Sequence, residues 1–253
     1  MKPARAKVDM SSVNKYFDEL AVTMADVAPE NVYNYDKINV SNNPELKTII
    51  CRRGLKWVKR KMQHSKSSVS IMFCGNAVGE YLPLMVVYKA QKVYTKWTRG
   101  GPRGSIYDCT KSGWFDSRCF EQWFREIFLP HASAKDGKKV ILGDNLSSHF
   151  TPKVIQAAVG NNIEIVCLIP NSAHILKPLD VAVFRPVKVE WRKIMEAWWN
   201  ESHIMSSQVR FLSACYEIKF SGRYRGLAYV ILKCDRPSHP DWGRRCGESR
   251  RRG

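Results

Sequence analysis

Apolar positions recur at helical spacing between Ser12 and Val27, at Val13, Tyr16, Phe17, Leu20 and Met24, and Pro29 closes the run. A helix is therefore predicted ahead of the first strand. The stretch Asn31 to Tyr35 is aromatic and β-prone, which places Asp36 at a strand terminus before the turn-rich Asn39 to Pro44. Ser68 to Cys74 and Leu82 to Tyr88, separated by the turn Gly75 to Glu80, read as an antiparallel hairpin. Ala90 to Gly113 is rich in Gly, Lys and Arg and reads as a loop insertion. Phe115 to Leu129 carries Phe, Trp, Ile and Leu at helical spacing, with Pro130 expected to end the helix. Lys138 to Gly143 is a buried-strand run that delivers Asp144 at its carboxyl end. Helix Pro152 to Gly160 and strand Ile163 to Leu168 come after it. After a loop from Pro170 to Pro178, Asp180 opens a last helix through Phe184, Val187, Trp191, Ile194 and Trp198, with Pro186 tolerable only near its first turns.

This β-α-β alternation after a hairpin predicts an α/β fold with a mixed sheet. Three carboxylates then stand where such sheets place functional groups: Asp36 and Asp144 at strand ends, Asp180 at a helix start. Oxygen ligands of this kind suit Mg²⁺ or Mn²⁺, and two such ions about 4 Å apart can activate a nucleophile and stabilise a leaving oxygen in phosphodiester chemistry. An isolated aspartate at a strand end is, however, more often a turn or cap residue.

Composition narrows the partner. The chain has 253 residues, 44% of them hydrophobic, enough to bury a core, and a formal net charge of +18 that favours a polyanion. Nucleic acid leads, because Lys and Arg neutralise phosphates without reading sequence. No basic amphipathic helix with a clean apolar face argues for a membrane surface, and no run is long and apolar enough to span one. The eight cysteines contain no Cys-x-x-Cys pair, so buried thiols are expected in preference to zinc sites or disulfides.

The wording around the aspartates carries a resemblance. The blocks are Val32-Tyr33-Asn34-Tyr35-Asp36, Ser70-Ile71-Met72-Phe73-Cys74-Gly75-Asn76-Ala77, Lys111-Ser112-Gly113-Trp114-Phe115-Asp116, Leu142-Gly143-Asp144-Asn145-Leu146-Ser147-Ser148-His149, and Pro170-Asn171-Ser172-Ala173-His174 with Lys177-Pro178-Leu179-Asp180-Val181. In order and spacing they closely resemble the DDE-type endonuclease domain of pogo- and Tigger-like transposases, the group that includes Jerky and centromere protein B relatives. The likeness runs from about Ala6 to Trp199. It implies a ribonuclease H-like mixed sheet flanked by helices, with Asp36, Asp144 and Asp180 as the catalytic, metal-binding triad for a pair of Mg²⁺ or Mn²⁺ ions. It further implies DNA as partner, cleavage and strand transfer as chemistry, and dimerisation. A nuclear location is expected from the basic runs and the DNA partner.

On that reading, residues 1–30 are a helical lead-in, 31–200 the endonuclease domain, and 201–253 a divergent, basic, irregular tail whose Arg-rich end binds polyanions if exposed. The chain reads as a catalytic core without the helix-turn-helix modules that usually precede it in this group. Family members commonly carry Glu after the first aspartate and Gln shortly before the third, where this chain has Lys37 and Lys177. Strand alternation should turn Lys37 to the opposite face, whereas Lys177 is expected to lie close to the carboxylates. The rival reading is a noncatalytic nuclear DNA-binding protein that keeps the fold and the basic surface.

The neighbours stay open between two roles each. Asn145, His149 and His174 could position phosphate or move a proton; alternatively Asn145, Ser147, Ser148 and His149 supply capping bonds that orient Asp144. Trp114, Trp123, Trp191, Trp198 and Trp199 could stack on bases, though helical spacing favours core positions. The basic run Arg52 to Lys61 is either a DNA contact or a solvated loop.

Overall fold

The computed structural model describes residues 10–41, 68–98, 101–145, 149–169 and 176–200. The basic run Arg52 to Lys61, the loop residues Ser147, Ser148 and His174, and the tail 201–253 lie outside them.

Six strands form one mixed sheet: β1 (Val32–Ser41), β2 (Ser68–Asn76), β3 (Met85–Lys89), β4 (Ile106–Thr110), β5 (Lys139–Gly143) and β6 (Ile163–Cys167), in the spatial order β4-β3-β2-β1-β5-β6. β1, β2 and β3 pair antiparallel, while β4 runs parallel to β3, and β5 and β6 run parallel to β1. Helix α1 (Met10–Met24) precedes β1, and the short α2 (Thr95–Thr98) joins β3 to β4. Between β4 and β5 lie α3 (Ser117–Trp123), a π-helical segment Phe124–Phe128 and α4 (Leu129–Ser133). Helix α5 (Pro152–Gly160) makes the β5-to-β6 crossover, and a second π segment, Leu179–Val183, opens α6 (Phe184–Asn200).

Strand alternation sorts the side chains into two cores. Val32, Ile38 and Val40 of β1, Ile71 and Phe73 of β2, and Val140 and Leu142 of β5 pack with Leu20 of α1 and with Leu179, Phe184, Val187 and Trp191 at the start of the last helix. Tyr33, Tyr35, Met72 and Ile141 face the other way, onto Phe120, Trp123 and Phe128 and onto Val154 and Ala158 of α5. Helices thus cover both faces, and the mixed α/β sheet expected from the sequence is present.

Three expectations are corrected. Asp36 is not at a strand end: β1 continues to Ser41, paired with β2 throughout, so the turn residues Asn39 and Val40 are strand residues. Ala90 to Gly113 is not an unstructured insertion, since it contains α2 and the edge strand β4, whose Tyr107 stacks beside Tyr88. Pro130 does not end its helix, which continues to Ser133. The carbonyl that a proline leaves without its donor lies four residues earlier. For Pro130 that is Glu126 and for Pro186 it is Ala182, both inside the widened π segments. The chain absorbs each proline where the regular hydrogen-bond register has already been relaxed.

Candidate active site

Although β1 runs on, β5 stops. The parallel pairing covers only Val32 to Asn34 against Val140 to Leu142, and Gly143 is the last residue of β5. Asp36 therefore lies just beyond the end of the neighbouring strand, where Asp144 leaves it. Gly143 makes the junction possible: a Cβ there would lie 2.2 Å from the Tyr35 ring, which only a residue without a side chain permits.

The start of the last helix is drawn to the same edge by Asn34, fully buried in β1. Its Nδ2 donates to the Leu142 carbonyl at 3.0 Å, and its Oδ1 accepts the backbone N–H of Leu179 at 3.3 Å. One amide thus ties β1, β5 and the residue before Asp180 together.

The three predicted carboxylates meet around a cation that belongs to the chain. The Lys177 ammonium lies 2.8 Å from Asp36 Oδ1, 2.7 Å from Asp144 Oδ2 and 3.9 Å from Asp180 Oδ2. The cluster is graded toward solvent: the Lys177 and Asp36 side chains are each 5% exposed, Asp144 30% and Asp180 37%. Burial pushes the Asp36 carboxyl up to about 7 against the pull of Lys177, with Asp180 and Asp144 adding to the rise. Burial opposes the Lys177 charge too, but the Asp36 charge and the hydrogen bonds to both aspartates outweigh it and hold the ammonium above its ordinary range. Three carboxylates against one ammonium leave surplus negative charge, and the deepest carboxyl is where a proton is retained.

The donor set is right in kind for a hard divalent ion, being all carboxylate oxygen. Its arrangement is not. A cation shared by these oxygens would occupy the space of Lys177 Nζ, and among the described residues no group of three His, Cys, Asp or Glu is disposed to hold a metal ion.

The neighbours divide. His149 is buried, stacks on Phe120 at 4.2 Å between ring centroids, and faces the Tyr35 hydroxyl with its Nδ1 at 3.1 Å. Burial, then Lys37 and Lys177, push it down to about 4, so it is a neutral core group at neutral pH. Lys37 alternates with Asp36 to the other face, where burial lowers its pKa. Thr151 caps α5 by accepting the Val154 N–H. Trp123 and Trp191 are core residues, whereas Trp114 is 60% exposed. Asn34 and Gly143 were not singled out from the sequence, yet both set the positions of the aspartates. The signal was present in the Asn two residues before Asp36 and the Gly directly before Asp144.

Comparison with known proteins fits this picture. A solved structure described as the Mos1 transposase paired-end complex with left transposon end aligns with a TM-score of 0.51 at 11% identity, over 92% of this chain and 62% of that one. The mariner Mos1 paired-end complex with Mg gives 0.51 at 12%, over 90% and 62%, and its counterpart with Mn gives 0.50 at 11%, over 87% and 60%. At such identities the likeness is one of fold, which is ribonuclease H-like. A curated protein named MFS-type transporter clz9, from Cochliobolus lunatus, is 27% identical over 173 residues, 63% of this chain but 18% of that protein. The chain thus spans less than two thirds of the Mos1 chains and under a fifth of the curated relative. A family model described as DDE superfamily endonuclease matches residues 66–221, a span that includes Lys177, Asp144 and Asp180 and begins after Asp36. With more than half of its length so matched, on a sheet whose edge gathers three aspartates, the chain belongs to the DDE superfamily of endonucleases.

Proposed function

We propose that this chain is a DNA-binding domain of the pogo/Tigger-like branch, in which Asp36, Asp144 and Asp180 are the family's carboxylate triad. The observation that carries the reading is the convergence of all three carboxylates, from β1, the end of β5 and the first turn of the last helix, within 4 Å of one cation. A formal charge of +18 supports DNA as the partner. Mg²⁺ or Mn²⁺, as a pair of ions, is the cofactor this oxygen set would take once its central cation is removed. A nuclear location follows from the DNA partner, and a homodimer from the need of strand transfer to hold two ends. One structural relative is described as a transposase paired-end complex, and that wording supports DNA as the partner.

The noncatalytic reading is favoured by one observation, Lys177 at the centre of the triad.

The test measures duplex binding across a salt series and Mn²⁺-dependent nicking, for the parent chain and for Asp144→Asn. Binding is expected to weaken linearly on logarithmic axes as salt rises, alike in both proteins. Any metal-dependent nicking by the parent should vanish in Asp144→Asn. Absence of DNA binding, or nicking undiminished by the substitution, overturns the proposal.

A further inference from the structure

Lys177 has the position of a structural cation rather than of a surface lysine. It is 4% exposed, and its neighbours Leu176 and Leu179 are buried as well. The backbone two residues on is tied to β1 by the Leu179 N–H to Asn34 bond, which holds the lysine's segment beside the aspartates. Two of its contacts are charge-assisted hydrogen bonds of 2.7 and 2.8 Å, each to a different strand's aspartate.

We propose that the Lys177 ammonium is the resident cation of this site, seated where an ion shared by Asp36, Asp144 and Asp180 would have to lie, and that it excludes Mg²⁺ and Mn²⁺. The inference rests on the assignment of the three aspartates as the triad. Mg²⁺ binds carboxylate oxygens at about 2.0–2.1 Å, so an ion held by the Asp36 and Asp144 oxygens that already contact Nζ would overlap the ammonium. Withdrawal would cost the lysine both short ion pairs and leave the buried Asp36 carboxyl without its cation. An ion that bound beside it instead would face a fixed positive charge at close range. The carboxylate edge of this chain accordingly carries its own cation, and its DNA binding does not depend on a divalent ion.

The same geometry makes the metal site recoverable. Lys177→Gln removes the charge and leaves all three carboxylates in place. Mn²⁺ binding to the full chain, followed by electron paramagnetic resonance, is expected to be weak and insensitive to Asp144→Asn in the parent. In Lys177→Gln it should tighten by roughly a hundredfold or more and be lost again in Lys177→Gln/Asp144→Asn. The thermal midpoint of Lys177→Gln should fall without metal and recover with Mn²⁺. Mass-spectrometric mapping of reductive methylation on the unsubstituted chain provides a reading that needs no variant: Lys177 should stay unmodified with or without millimolar Mn²⁺. Parent binding as tight as that of Lys177→Gln, and abolished by Asp144→Asn, would overturn the resident-cation proposal while leaving the triad standing. Folded Lys177→Gln with no Mn²⁺ binding would overturn both. Methylation of Lys177 that appears on adding Mn²⁺ would show the ion displacing it, and would likewise overturn the inference.

Discussion

Asn34 accepts the backbone N–H of Leu179 across 145 residues of chain, while the other end of the same amide donates to Leu142. A sheet strand and a helix start, remote in sequence, are thereby fixed within one side chain's reach of each other. Asn34→Ala removes both bonds in a fully buried position, taking one partner each from the Leu179 N–H and the Leu142 C=O. Each such group costs about 1–3 kcal/mol. Urea unfolding of the variant should show a loss of roughly 2–4 kcal/mol, and Asn34→Asp, which keeps the acceptor but not the donor, should not restore it. A loss below about 1 kcal/mol would mean the amide does not hold the edge together.

Gly143→Ala is the second expectation. The added methyl would meet the Tyr35 ring at 2.2 Å, too close for a flexible adjustment because the ring is itself packed on Phe120 and Trp123. Overpacking of this kind costs about 1–3 kcal/mol. Gly143→Ala/Tyr35→Leu should recover part of it, and a double-mutant cycle in urea would measure the coupling.

The dependence of stability on pH should arise from two groups that oppose each other. His149 is lowered from 6.5 to about 4, so between those values the unfolded chain binds more protons and stability rises with pH. Asp36 is raised from 3.8 to about 7, so over nearly the same interval the folded chain binds more protons and stability falls as pH rises. The two contributions largely cancel in the parent. Asp36→Asn should unmask the histidine, giving stability that is lost as pH drops from about 6.5 toward 4 with a slope approaching 1.4 kcal/mol per pH unit. His149→Phe should reverse the sign. Chemical denaturation at a series of pH values reads this directly, and identical profiles for the parent and Asp36→Asn would rule it out.

The tryptophans should separate by burial rather than by sequence context. Trp123 is wholly buried and Trp114 is 60% exposed. Trp123→Ala should cost about 3–5 kcal/mol, and Trp114→Ala should stay within about 0.5 kcal/mol. If Trp114 stacks on bases, its replacement should weaken DNA binding at unchanged stability, measurable by fluorescence anisotropy.

Much of this architecture could be read from residue patterns because hydrophobic period and turn chemistry are local properties. The β5-α5-β6 unit and the helix stop before Pro29 were visible in that way, whereas the grouping of the three aspartates was expected from the resemblance of the blocks around them to a known family. The hidden features depended on partners far along the chain. Nothing local to Tyr35-Asp36-Lys37 announces that β1 continues past Asp36, since that extension is secured by pairing with Ser68 to Phe73. β4 was concealed because Ile106 to Thr110 is short and sits at a sheet edge, where its stability comes from β3. Pro130 and Pro186 were judged by the rules of a regular α-helix, and the π segments suspended those rules. For Lys177 the sequence supplied proximity along the chain, but only the tertiary placement of β1 and β5 showed that its charge points into the triad rather than away from it.

The π segment Leu179–Val183 has a bearing on how such a site survives a change in chain length. Successive residues of an α-helix are separated by about 100° around its axis, so a widened turn changes the phase between the residues on its two sides. Leu179 and Asp180 lie on the site side of that turn, while Val187 and Trp191 hold α6 to the core on the other. A π turn holds about one residue more than an α turn for the same rotation, so deleting one residue from Ala182 to Val183 would restore regular winding with α6 seated and Asp180 still in phase with the cluster. The triad thus carries one spare residue in its supporting helix, and the chain can shorten there without losing an acidic side chain from the site.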